Sequence, residues 1–150
     1  MELAGWWSRV GAWFLDALFR VLLGVGTFGL LIAVDSVGGV VDTVGTVIIA
    51  PVVVIVYFGY PALTMRRPGA HNGQTWGKQI ARIRAVRDDG AAYGTGTALV
   101  RELMIKDLLI SFIGAIAFSI PFVLDSLWPL WDDSNRAVHD MIAKSHVVRA

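Results

Sequence analysis

The sequence predicts an all-α membrane protein with three transmembrane helices and a basic cytoplasmic loop, on three observations. Apolar residues make up 55 % of the 150 and charged residues 17 %, with a mean hydropathy of +0.61. A soluble domain would carry about 45–50 % and about 25 %. Three apolar stretches are long enough to cross a bilayer, and the positive charge gathers on one connection. The length fits one domain over 1–150. Thirteen bases against twelve acids leave a net charge of +1, and the aromatic-poor basic segment carries no nucleic-acid motif. No cysteine is present, which excludes disulfides, thiolate metal sites and cysteine nucleophiles.

The first stretch, 10–34, is interrupted only by Asp16 and Arg20. As a helix its 25 residues measure roughly 37 Å, against a hydrocarbon core of about 30 Å. Those two charges, and the lack of a small-residue cleavage pattern, argue against a removable signal segment. The second stretch, 46–64, is uncharged, and Pro51 and Pro61 would kink or bound its helix. Its length of 19 exceeds any ordinary strand. The third, 108–124, has 17 residues, the lower limit for a span, and Pro121 leaves a re-entrant helical pair as the alternative. Within it Ser111, Ala115 and Ser119 offer a small-residue face for helix packing. Trp6, Trp7, Trp13, Trp76, Trp128 and Trp131 stand near the stretch ends, where an interfacial belt needs them.

Residues 65–106 hold eight bases against Asp88, Asp89 and Glu102, whereas 35–45 holds two aspartates and no base. The positive-inside bias puts 65–106 and the amino terminus in the cytoplasm of a multi-pass plasma (inner) membrane protein. The side of the tail stays open. Such a loop attracts anionic lipid headgroups, and within it RIRAVR at 82–87, followed by Asp-Asp-Gly, suggests a short strand.

Arg9, Asp16 and Arg20 share one helical stripe. Arg9 and Asp16 lie about 20° apart in projection, and Asp16 and Arg20 are an i, i+4 pair. A lone charge at membrane depth costs about 2.5–3.5 kcal/mol, so such groups face inward and mark either a packing device or an ion, proton or anion site. Gly73-Gln-Thr-Trp-Gly77-Lys78-Gln79 fails as a phosphate-binding loop, having three residues between its glycines and no Ser or Thr after Lys78. His139 and His146, seven apart, would share a helix face, too few ligands for zinc. No cofactor site and no catalytic constellation stands out, so a non-enzymatic role is expected.

RVGAWFLD at 9–16, GQTWGKQIARIRAVRDDG at 73–90, Arg101, and RAVHDMIAKSHVV at 136–148 together resemble the RDD family of bacterial membrane proteins, most closely its actinobacterial members. The resemblance covers about residues 5–148. It implies that Arg9 and Asp16 are the family's arginine and first aspartate, with Asp140 proposed as the second. Gly73, Thr75, Gly77, Lys78, Arg101, Arg136 and His139 fall on the other motif positions. Ser145-His146 departs from the family's usual Thr in the terminal motif. The resemblance implies movement of a small solute or ion, with cation–proton exchange linked to some members. The expected mechanism has Asp16 bind the cation or proton with Arg20 beside it. Three helices enclose little, so a homo-oligomer or larger membrane complex is expected. A non-transporting accessory subunit that binds a partner or anionic lipid is the alternative.

Overall fold

The computed structural model describes residues 2–35, 47, 50–102 and 120–150. Helix α1 (Trp6–Asp35) runs through Arg9, Asp16 and Arg20, since none of them blocks helical backbone. Its inner stripe, Ala12, Asp16, Phe19, Arg20, Leu23 and Thr27, is the buried or half-buried one. Thr27 is kept satisfied by donating its hydroxyl to the carbonyls of Leu23 and Gly24. The other sides expose Trp7, Phe14, Leu18, Val21, Leu22, Val25, Phe28 and Leu30. An apolar surface of that extent is what lipid covers. Among the described residues Trp6–Leu30 is the one helix long and apolar enough to cross a bilayer.

Helix α2 (Ala50–Met65) contains Pro61, whose ring removes one helical hydrogen bond. Its last turns bury Tyr60, Ala62, Thr64 and Met65, while Val52 and Ile55 are exposed. The expected span of 46–64 is thus described as helix from Ala50. Of the expected span of 108–124, residues 108–119 lie outside the described residues, as does the small-residue face at 111–119, and helix α5 (Ile120–Leu127) carries the remainder. The three-span topology therefore stands as an expectation.

Two expectations need correction. The protein is mostly helical but carries a small sheet, and 65–106 is no solvated loop across its described residues. Helix α3 (Trp76–Ile80), strand β1 (Ile83–Arg87) and helix α4 (Thr95–Leu99) fold there. Beyond α5, a 3-10 turn (Trp128–Leu130) leads to helix α6 (Val138–Ile142) and strand β2 (Ser145–Arg149). The strand expected from RIRAVR forms. It pairs antiparallel with β2, Ile83 opposite Arg149 and Arg87 opposite Ser145. The alternation predicts one-sided burial, and Ile83 and Ala85 are the buried pair. Leu3 adds a bridge to Val148 on the far side of β2.

The all-α reading missed the sheet because β2 reads as a helical tail until its partner is known. Lys144 takes φ 47°, ending α6 and redirecting the chain. His139 and His146 consequently lie on different elements, the first on α6 and the second on β2 beside Asp88. Gly73 (φ 78°) docks the α2–α3 connection onto the sheet, donating to the Met65 carbonyl and accepting from Ala85. A Cβ there would stand 2.1 Å from the Ala85 oxygen. Among the described residues two small cores result. Ala62, Met65, Ala85, Tyr93 and Ala98 form one, and Ala4, Ala12, Ile83 and Val147 the other.

Candidate functional site

The first half of α1 lies across α3, and Asp16 is the joint. Helix α3 begins with three backbone N–H groups that have no partner within it. All three are accounted for. Trp76 donates to the Tyr60 hydroxyl (3.2 Å), Gly77 to Asp16 Oδ1 (2.9 Å), and Lys78 to the Thr75 hydroxyl (3.2 Å). The Tyr60 and Thr75 hydroxyls in turn donate hydrogen bonds to Asp16, at 2.8 and 2.6 Å. The carboxylate thus collects three donors around a helix N-terminus, where its charge also meets the favourable end of the helix dipole. Gly77 is required by proximity, since a Cβ on it would fall 2.4 Å from the Ala12 carbonyl oxygen and 2.6 Å from Asp16.

The i, i+4 pairing of Asp16 with Arg20 does not form among the described contacts. Oxygens that hold three donors from the α2–α3 side have little left for a guanidinium one turn along α1. The Arg20 guanidinium stands over the Tyr57 ring instead, 5.9 Å from its centre. Arg9, about two turns before Asp16, reaches a different carboxylate: its Nη1 donates to Asp140 Oδ2 at 2.6 Å. The structure thus joins Arg9 to Asp140 and Asp16 to Thr75 and Gly77, in two adjacent assemblies.

The second assembly is a buried chain of charges. Lys78 Nζ lies 2.5 Å from Glu102, Glu102 pairs with Arg101, Arg101 with Asp140, and Asp140 with Arg9. Asp140 is fully buried and the Arg101 side chain is 2 % exposed. Arg101 Nε also donates to the Ser145 hydroxyl, which links the network to β2. His139 sets Nδ1 2.8 Å from Asp125 and Nε2 3.4 Å from Asp140. Burial opposes ionisation of Asp140, yet the neighbouring His139, Arg101 and Arg9 outweigh it and hold its carboxyl well below the usual carboxylate range. Burial likewise works against the charge of Arg101, but Asp140 and Glu102 overcome it and push its pKa up.

The remaining motif residues play separate parts. Gly73 makes the turn onto the sheet, Thr75 caps α3, and Arg136 lies apart, paired with Asp132 in the loop before α6. Hydrogen bonds from Arg136 hold the Asp132 carboxyl at about 2. Sequence reasoning missed Tyr60, Glu102, Asp125 and Ser145. In the sequence Glu102 counts only toward the charge balance of 65–106. The one available signal was that acids beside apolar runs need partners.

Between α1 and α5 lies a cavity of about 280 Å³, open to the exterior on one side. Arg9, Asp16, Lys78, Arg101, Asp125 and His139 line it. Among the described residues no group of three or more His, Asp or Glu is placed to hold a metal ion. The arrangement suits binding a small molecule or moving a proton between neighbouring carboxylates and imidazole.

A sequence profile described as the RDD family matches residues 3–144, nearly the whole chain. No curated protein and no solved structure matches it.

Proposed function

This chain belongs to the RDD family of membrane proteins, and on that premise we propose that it transports a small solute or ion through the cavity beside Asp16. The observation that carries the reading is the meeting of six ionisable side chains on one open space at the base of an apolar helix. Structural ion pairs alone would be served as well by apolar packing, whereas acids and bases that line one cavity can exchange a proton or a bound solute. In this reading the protein is multi-pass in the plasma membrane, with the amino terminus and residues 65–106 on the cytoplasmic side and against anionic headgroups. Further copies complete the pathway.

Reconstitution in liposomes tests it. Flux of protons or alkali cations that is absent from empty vesicles supports transport, and Asp16→Asn should reduce it at least tenfold. Equal flux in both proteins removes Asp16 from the pathway. A second reading, a non-transporting accessory subunit, draws on the three donors already held by Asp16. It expects Asp16→Asn to lower stability while loaded and empty vesicles leak alike.

A further inference from the structure

One end of the buried chain of charges is only half used. Arg9 gives Nη1 to Asp140, while its Nε and Nη2 are buried and hold no hydrogen-bond partner among the described residues. A buried donor without an acceptor is costly, and one side chain here carries two. Nε and Nη2 also form one edge of the guanidinium. Their N–H bonds run side by side and match the two oxygens of a carboxylate.

Neighbouring acids do not fill that edge. Asp140 Oδ2 already accepts from Arg9 Nη1 and from the Ala137 backbone, and Oδ1 pairs with Arg101. Arg9 lines the cavity between α1 and α5 with Lys78 and Arg101, against two acids, Asp16 and Asp125. Lys78 is held by Glu102, and Arg101 by Glu102 and Asp140. Asp16 accepts from Tyr60, Thr75 and Gly77, and Asp125 from the His139 backbone. The unmet demand at the cavity wall is therefore for an acceptor, and it sits on Arg9. The Arg9 side chain is 12 % exposed, so a group on that edge is enclosed in the cavity and not on the surface.

The walls describe the rest of the occupant. Trp13 and Phe122 line the cavity with their rings 6.0 Å apart and inclined at 54°, and Val10, Ile83 and Val147 add aliphatic surface. A hydrated dianion such as phosphate would shed its water against these side chains without compensation. An acid with one charge and an apolar body meets each wall with its like. We infer that the cavity binds a small organic monocarboxylate, its two oxygens on Nε and Nη2 of Arg9 and its apolar body against Trp13 and Phe122. A volume of about 280 Å³ lies at the lower end of small-molecule sites, which selects a compact acid over a lipid-derived one with a long chain. This rests on the cavity being the solute site proposed above and gives that solute a chemical class.

The test is equilibrium binding of radiolabelled benzoate to the full chain in lipid nanodiscs, with empty nanodiscs as the blank. Saturable binding is expected, displaced by phenylacetate. Benzamide, which keeps the ring and lacks the charge, and sodium phosphate should not displace it. Arg9→Lys keeps a cation for Asp140 but removes the two-donor edge, and should weaken binding at least about tenfold. Trp13→Ala lies outside the ion pairs and should weaken it about fivefold, with Trp13→Phe restoring most of the loss. Circular dichroism checks that the variants fold, and Trp13→Ala decides if Arg9→Lys does not. Absent saturation, displacement by benzamide, displacement by hexadecanoate but not by phenylacetate, or unchanged affinity in the deciding variant would each overturn the inference. Binding without benzoate flux in vesicles keeps this site and counts against transport, whereas ion flux without benzoate binding discards the ligand class alone.

Discussion

Along α1, residues 6–16 turn Arg9, Ala12 and Asp16 onto α3, β1 and α6, while residues 21–30 present Val21, Leu22, Val25, Phe28 and Leu30 to the outside. The helical backbone is continuous and its geometry the same. What differs is the partner. On its inner face the first half meets backbone donors and charges at hydrogen-bond distance, so Arg9 and Asp16 there are held by specific partners. The second half meets an apolar medium without directional demands, so many residues would serve. Charge in a membrane helix is thus tolerated where partners are docked against it, at Asp16 on the start of α3 and, one turn on, at Arg20 over the Tyr57 ring.

Removing the shared carboxylate should sharpen that contrast most. Asp140→Ala leaves Arg9 and Arg101 buried without their common partner, a loss of about 3–5 kcal/mol measured by chemical unfolding in detergent. A loss below about 1 kcal/mol would show that the network is not a unit. Gly77→Ala should come next, since its methyl group would overlap Ala12 and Asp16 and force α1 and α3 apart. About 2–3 kcal/mol is expected, as for overpacking.

Acid acts on the same half. Asp140 is ionised in the folded protein well below the ordinary range, so the unfolded chain binds the proton first. Its stabilisation is present above about pH 4 and declines progressively as pH falls below that value toward the folded pKa. The unfolding midpoint followed from pH 6 to pH 2 should fall, with a shallower slope in Asp140→Asn. A slope unchanged by that substitution would assign the acid response elsewhere.

The smallest effect belongs to the outer half. Among the described residues nothing lies within 4 Å of a Cβ built on Gly24 or Gly26. Gly24→Ala should be neutral or stabilising by up to about 1 kcal/mol through helix propensity, the reverse of Gly77→Ala. Destabilisation comparable to Gly77→Ala would mean that the outer half is packed as closely as the inner one.

Much of this was legible in the residues themselves. Apolar length predicted α1, and alternation in RIRAVR predicted the strand β1. The glycines of the middle motif failed as a phosphate loop, and their use here is steric, letting backbone approach backbone at 73 and 77. The partner of Asp16 was misread because spacing along one helix ranks Arg20 first. A donor 59 or 61 positions away has no signature in a single sequence. The same applies to β2, whose strand state depends on β1.

By itself the sequence determined what local chemistry decides: that α1 is a long apolar helix, that its charges must turn inward, and which residues carry the family's motifs. Only the tertiary structure decided the pairing, Asp16 with the start of α3 and Arg9 with Asp140, and the cavity between them. Hydropathy and helical period act within a few turns of a residue. Hydrogen-bond partners and ion pairs are chosen by distances that exist once the chain has folded.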